Sequence, residues 1–219
     1  MEKKYELLKD DTISINGHTL YRIRALRDFN NVSKGDLGGY IEKEYNLSHK
    51  DNCWVFDNAR VYDNAQVCEN ARIYENAFIS GRAVIHGNAK VFEQAGIFDK
   101  VNISDNVRVY GNAEIYDFVI ISDSAKIYGI NTKVIGDAHI SNNANISDAF
   151  NYVLIKGIGS ESRTTTFFKC EDGFIKVNCG CFNGTLEQFE EKVKETHGDN
   201  KYAKEYLAVI ELIKIHFDL

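Results

Sequence analysis

The chain has 219 residues and a formal net charge of −6, with 44% hydrophobic and 26% charged residues, the balance of one or two globular domains rather than of a disordered chain. The negative charge argues against a general nucleic-acid binder. No apolar run is long enough for a membrane-crossing helix and no signal-peptide core follows Met1-Glu2-Lys3-Lys4, so a cytoplasmic protein is expected.

Residues 1–52 are expected to form a cap. Thr12–Ile15 and His18–Tyr21 flank Asn16-Gly17, a signal for a hairpin closed by a two-residue type I′ turn. Ahead of Ala59, the large residues Ile41, Leu47 and Cys53 are placed on the small-residue track described next, where they would plug the core beneath the first coil. An open solenoid end needs such cover, because it exposes unpaired strand edges.

Residues 53–158 keep a six-residue beat. Aliphatic side chains recur at Val55, Val61, Val67, Ile73, Ile79, Ile85, Val91, Ile97, Ile103, Val109, Ile115, Ile121 and Ile127. Two residues before most of them stands an alanine, from Ala59 to Ala125, which alternation puts on the same side of a short strand. Asparagines such as Asn58, Asn64, Asn70 and Asn76 precede the alanines and are expected to take the left-handed backbone of the corners. Strand and corner at a fixed short period make a β-solenoid. A step of three hexads aligns Arg72, Lys90, Arg108 and Lys126, and two residues on it aligns Phe56, Tyr74, Phe92, Tyr110 and Tyr128. A triangular coil of three hexads follows. The beat slips by one residue between Ile127 and Val134, which predicts a bulge or a widened corner.

Residues 159–219 are expected to form a ββαα appendage. Thr164–Lys169 and Phe174–Cys179 read as a hairpin, and Thr185 with Gln188 as the capping box of a helix burying Leu186, Phe189 and Val193. A second helix carries Tyr206, Ile210, Ile213 and Phe217. The sequence leaves open whether this unit caps the solenoid, associates with itself or recognises a partner.

Repeats such as Val61-Tyr62-Asp63-Asn64-Ala65-Gln66 resemble the hexapeptide repeat of left-handed parallel β-helix proteins. The resemblance implies a mainly β, single-stranded left-handed parallel β-helix, and acyltransferases use that fold with a histidine near a subunit boundary and often an extruded loop. Here Tyr or Phe often follows the aliphatic residue, where the family prefers a small or acidic one, and no long excursion interrupts the repeat. The stretches Lys34–Glu42 and Gly180–Leu186 are similar to phage- and prophage-encoded repeat proteins described as transferase-like, which implies the cytoplasm of a bacterial host.

Three surface features bear on chemistry. The strip Arg72, Tyr74, Lys90, Phe92, Arg108, Tyr110, Lys126 and Tyr128 reads as a partner-binding face, since arginine and aromatics are enriched at interfaces. It also reads as a ladder that only stabilises the sheet, and less readily as a single-strand nucleic-acid groove, because corner acids such as Asp63, Glu75, Glu93 and Asp99 surround it. The column Cys68, His86, Ser104 and Ser122 suggests a nucleophile and base, but shows no carboxylate to orient the imidazole. His86 and His139 are the histidines of the regular repeat and so the acyltransfer candidates.

Five irregularly spaced cysteines (Cys53, Cys68, Cys170, Cys179, Cys181) read as reduced thiols. Cys179 and Cys181 with Cys170 and His197 lack the spacing of a zinc motif. No metal and no cofactor are expected, as no phosphate loop or dinucleotide fingerprint is present. The expectation is a non-catalytic binding or scaffold protein that docks a protein partner and inhibits a host defence factor, with homo-oligomerisation through the solenoid face or the C-terminal domain. A hexapeptide-repeat acyl- or acetyltransferase is the alternative.

Overall fold

The computed structural model describes residues 2–219. Strands β1 (Tyr5–Ile15) and β2 (His18–Ala25) form an antiparallel hairpin. Its two turn residues, Asn16 and Gly17, both have positive φ (49° and 85°), as a type I′ turn demands. Strand β3 (Leu37–Ile41) pairs antiparallel with β2 on one side and parallel with Arg60–Val61 on the other. The hairpin therefore continues one solenoid sheet sideways and covers its edge. This join needs glycine at two positions: a Cβ would lie 2.5 Å from the Val55 carbonyl at Gly38 and 2.4 Å from the Ala59 carbonyl at Gly39.

The solenoid is a parallel three-sided coil of two-residue strands. One sheet runs through Trp54, Arg72, Lys90, Arg108, Lys126 and Asn145, in steps of eighteen residues with nineteen at the last, and its neighbours step likewise from Arg60 and Gln66. The aliphatic track from Val55 to Ile146 and the alanine track from Ala59 to Ala144 are buried, with Val101, Val107 and Val119 replacing alanine. Two expectations shift. Ile41 and Leu47 face Val61 and Val67, on the aliphatic track; Cys53 stays level with Ala71 on the small one. The first coil is two residues longer than the rest, which moves the earlier pair across.

The corners carry the second correction. The left-handed residue is the one two places before the small core residue, just ahead of the asparagine where there is one: Asp57, Asp63, Glu69, Glu75, Glu93, Asp99, Asp105, Asp117 and Asp123 have φ between 52° and 64°, and Gly81, Gly87 and Gly111 share those positions. Most of these acids use the carboxylate to accept a backbone N–H one coil further on. Glu69 takes that of Gly87 at 2.8 Å, Glu93 that of Gly111 at 2.8 Å and Asp123 that of Asn142 at 2.7 Å. A charge-assisted bond offsets the cost of left-handed backbone in a residue with a Cβ. The asparagines instead bond to one another in places, as Asn52 does to Asn70 at 3.1 Å.

The register slip is a widened corner. Asn112 N donates to Gly129 O while Glu114 N donates to Thr132 O, so the extra residue falls between Gly129 and Thr132. Thr132 takes the alanine position, buried, and its hydroxyl donates to the Ser147 carbonyl at 2.7 Å.

Both ends are plugged. At the start, fully buried Lys4 donates from Nζ to the carbonyls of Cys53 (2.8 Å) and Lys50 (3.2 Å), beside Trp54 and Phe29. At the finish stands a four-stranded antiparallel sheet, β4 (Tyr152–Ile158), β5 (Arg163–Lys169), β6 (Ile175–Cys179) and β7 (Phe182–Thr185), which extends the predicted hairpin by a strand on each side. One face of it sends Phe168 and Cys170 into the solenoid core. The other buries Phe167 and Val177 against helices α1 (Leu186–His197) and α2 (Lys201–His216) through Phe189, Val193, Tyr206, Ile210 and Ile213. The Thr185–Gln188 capping box forms. Of the three roles the sequence left open for this unit, covering the last coil is the one its packing displays.

Candidate functional site

The basic–aromatic strip forms one continuous sheet face. Arg72, Lys90, Arg108 and Lys126 are direct cross-strand partners, and the ring column stands beside them. Phe56 stacks on Tyr74 at 4.7 Å, Phe92 on Tyr110 at 4.9 Å and Tyr110 on Tyr128 at 4.9 Å, with ring planes within 11°. These separations match the spacing of neighbouring strands, so the coil register itself imposes the stacking. The series breaks between Tyr74 and Phe92. There a shallow depression of about 310 Å³ opens, lined by Asp57, Tyr74, Glu75, Lys90, Phe92 and Arg108.

The charges on the strip are unequally used. Lys126 is paired with Glu171 from the turn between β5 and β6. Arg72, Lys90 and Arg108 have no ion-pair partner among the described residues. Of the acids beside them, Asp57 and Glu93 spend a carboxylate oxygen on the N–H of Glu75 and Gly111. Burial, with Tyr128 next to it, pushes the Tyr110 hydroxyl above its ordinary pKa. A neighbouring face carries a shorter stack, Phe98 on Tyr116 at 4.5 Å.

The Cys68–His86–Ser104 column does not assemble a relay. His86 Nε2 meets Asn102 Oδ1 at 3.0 Å, and its Nδ1 lies 3.8 Å from Glu69. A carboxylate does stand by the imidazole, then, from the corner and not from the column, which corrects the sequence reading. Ser104 donates to Asp105 at 2.6 Å rather than to histidine. Burial, followed by the charge of Glu69, raises the Cys68 pKa, which keeps the thiol protonated and weakens it as a nucleophile. His139 lies on the last coil, its backbone N–H donating to Thr166 at 3.1 Å and its carbonyl accepting from Asn178 at 2.8 Å, and desolvation lowers its pKa against the pull of Asp123.

The thiols of the C-terminal unit are dispersed. Cys170 is buried at the solenoid end with its pKa pushed up to about 11 by desolvation, Cys179 accepts from Thr165 at 3.2 Å and Cys181 is exposed. Their sulfurs do not converge with His197 on a metal position among the described residues. The residues that do converge were missed in the sequence: His18, Glu42 and Asp63, with His18 Nδ1 3.1 Å from Glu42 and Nε2 3.3 Å from Asp63. They come from the hairpin, the end of β3 and a solenoid corner, so no motif links them. The trio offers a nitrogen and two carboxylates to a cation, but each ring nitrogen already faces its own carboxylate. As it stands it clamps the hairpin to the first full coil.

Fold and surface together define a six-residue-repeat parallel β-solenoid with both ends covered and one ordered basic–aromatic face. No family model matches the chain. Over 38 residues it is 45% identical to the Escherichia coli (strain K12) protein described as uncharacterized acetyltransferase YdcK, a match covering 17% of this chain and 12% of that protein. The chain thus aligns with only a small part of that relative's length. Among the described residues, no helix is long and apolar enough to cross a membrane.

Proposed function

We propose that the protein is a non-catalytic docking protein whose basic–aromatic strip binds a macromolecular partner, most simply another protein. The observation that carries this reading is the run of register-matched Arg72, Lys90 and Arg108, without ion partners among the described residues, beside stacked rings that open into a depression at Tyr74 and Phe92. Interfaces draw their energy from such aromatic and arginine anchors. Acids interleaved at the corners favour a protein partner over nucleic acid. Action on a host factor, in a phage or prophage setting, rests on the sequence resemblance alone.

The second reading is an acyl- or acetyltransferase, favoured by the short YdcK match. It would require His86 or His139 to serve as base toward the acceptor, and His86 Nε2 is already engaged by Asn102 Oδ1 at 3.0 Å. The two readings separate by affinity capture from bacterial cells with the parent chain and with Arg108→Ser/Tyr110→Ser. A partner retained by the parent and lost by the double variant supports docking through the strip. A partner held equally by both removes the strip from the function.

A further inference from the structure

The C-terminal unit holds a recess of about 240 Å³ between the start of β5, the turn joining β6 to β7, and helices α1 and α2. Three rings line it in series: Phe182 meets Phe189 at 5.1 Å, and Phe189 meets Tyr206 edge-on at 5.5 Å. Arg163, Lys192, His197 and Glu161 supply its titratable groups. Two glycines make room for the polar atoms. A Cβ on Gly159 would lie 2.1 Å from the Tyr206 hydroxyl oxygen, and one on Gly180 would lie 2.3 Å from an Arg163 guanidinium nitrogen.

Tyr206 is only 7% exposed, yet among the described residues its hydroxyl meets a single polar atom, the Cys179 sulfur at 3.8 Å. Sulfur is a weak acceptor, and this one already takes the Thr165 hydroxyl at 3.2 Å. Buried hydroxyls normally find a full partner, and leaving one short costs stability. Burial, followed by Cys179, raises the Tyr206 pKa against the opposing pull of Arg163, which keeps the hydroxyl a proton donor. Arg163 is itself half-exposed, and its ion partner Glu161 stands 4.0 Å away. The other acids nearby are spent, Glu205 on the Gly159 N–H at 2.9 Å and Glu195 on Lys192 at 2.8 Å. Two under-used donors beside a wall of rings call for a group that only accepts, carried on an apolar body. We propose that this recess binds a small carboxylic acid in its ionised form, with the carboxylate held by the Tyr206 hydroxyl and the Arg163 guanidinium and the apolar body against Phe182 and Phe189. The guanidinium fork matches a carboxylate in shape as well as charge. The site is separate from the solenoid strip and stands whether or not the strip binds a partner.

Phenylacetate and hexanoate are the probes, titrated into the full chain under reductant and followed by protein-observed NMR, with phenylacetamide and hexanamide as uncharged counterparts. At least one carboxylate should saturate the protein at millimolar concentration and bind about tenfold or more tightly than its amide. Tyr206→Phe keeps the ring and should weaken that binding roughly tenfold, and Arg163→Gln at least as much. A second readout needs no ligand: Tyr206→Phe should melt no lower than the parent, because it removes a hydroxyl that lacks a full partner. A clear fall in its melting temperature would show the hydroxyl to be satisfied within the protein and overturn the proposal. So would failure of both carboxylates to bind up to about 10 mM, an amide that binds as tightly as its acid, or binding unchanged in both variants.

Discussion

The carboxylate of Asp99 accepts the backbone N–H of Asp117, eighteen residues later, at 3.2 Å, and both residues are left-handed (φ 52° and 64°). Along the same corner, Gly81 and Gly136 show the other way to occupy the position. An acid therefore trades backbone strain for a bond between coils, and glycine avoids the strain without making the bond. Asp99→Ala should lose the bond and keep the strain, costing about 1–3 kcal/mol. Asp99→Gly should recover roughly 1 kcal/mol of that. Chemical denaturation of the two variants measures both, and an alanine variant as stable as the parent would show the corner bond to be dispensable.

Acid should loosen the protein in a defined window. Burial raises the Glu42 pKa, but the His18 hydrogen bond and the Asp63 amide outweigh it, so the carboxyl sits below its usual value. The Ser104 hydroxyl, then the Asp123 amide, hold Asp105 low in the same way. A carboxyl with a depressed folded pKa contributes stability that is complete above its unfolded value and is lost as pH falls through the folded one. The melting temperature should hold on acidification until about pH 4.5, the unfolded range of carboxylates, and decline below it. Glu42→Gln should flatten part of that decline. A loss beginning above about pH 6 would point to a histidine instead.

The core register makes its own claim. Ile103 is fully buried between Ile85 and Ile121 on successive coils. Ile103→Asp would bury an unpaired carboxylate there, an effect beyond about 4 kcal/mol. Soluble expression or cooperative melting should be lost; a variant that melts like the parent would remove Ile103 from the core.

The solenoid was legible because its signal is periodic: the same physical requirement repeats at every coil, so Val61, Ile79 and Ile97 corroborate one another. The corner chemistry was legible only in part. Asparagine and acid alternate as neighbours, both tolerate left-handed backbone, and only the bonds between coils show which of them uses it. Ile41 and Leu47 were misplaced because the first coil breaks the period that located everything else. The His18–Glu42–Asp63 clamp lay beyond reach for the opposite reason: it occurs once, and three distant segments supply it.

An acyltransferase reading makes a sharp demand on two residues. Incubation with acetyl-coenzyme A and a panel of amine and hydroxyl acceptors should release no thiol above background. His86 is engaged by Asn102, and the Cys68 thiol within its column is held protonated. Turnover that disappears in His86→Ala or His139→Ala, with folding intact, would put the enzyme ahead of the docking protein.

The strip can serve the fold, a partner, or both, and the two contributions differ in size and in readout. Tyr110 stacks between Phe92 and Tyr128, and Arg108 lies between Lys90 and Lys126. Cross-strand neighbours of this kind contribute up to about 1 kcal/mol per pair, and part of the Arg108 share is self-cancelling, since its neighbours carry the same charge. An aromatic anchor removed from an interface costs on the order of 2 kcal/mol or more of binding. In Arg108→Ser/Tyr110→Ser the melting temperature should fall only slightly, while partner capture falls by at least about tenfold. Losing the stacking but not the capture, with a large fall in melting temperature, would assign the ladder to the fold alone. The partner site would then have to lie on the end units, where Phe150, Ile215 and the His18 clamp offer the remaining ordered features.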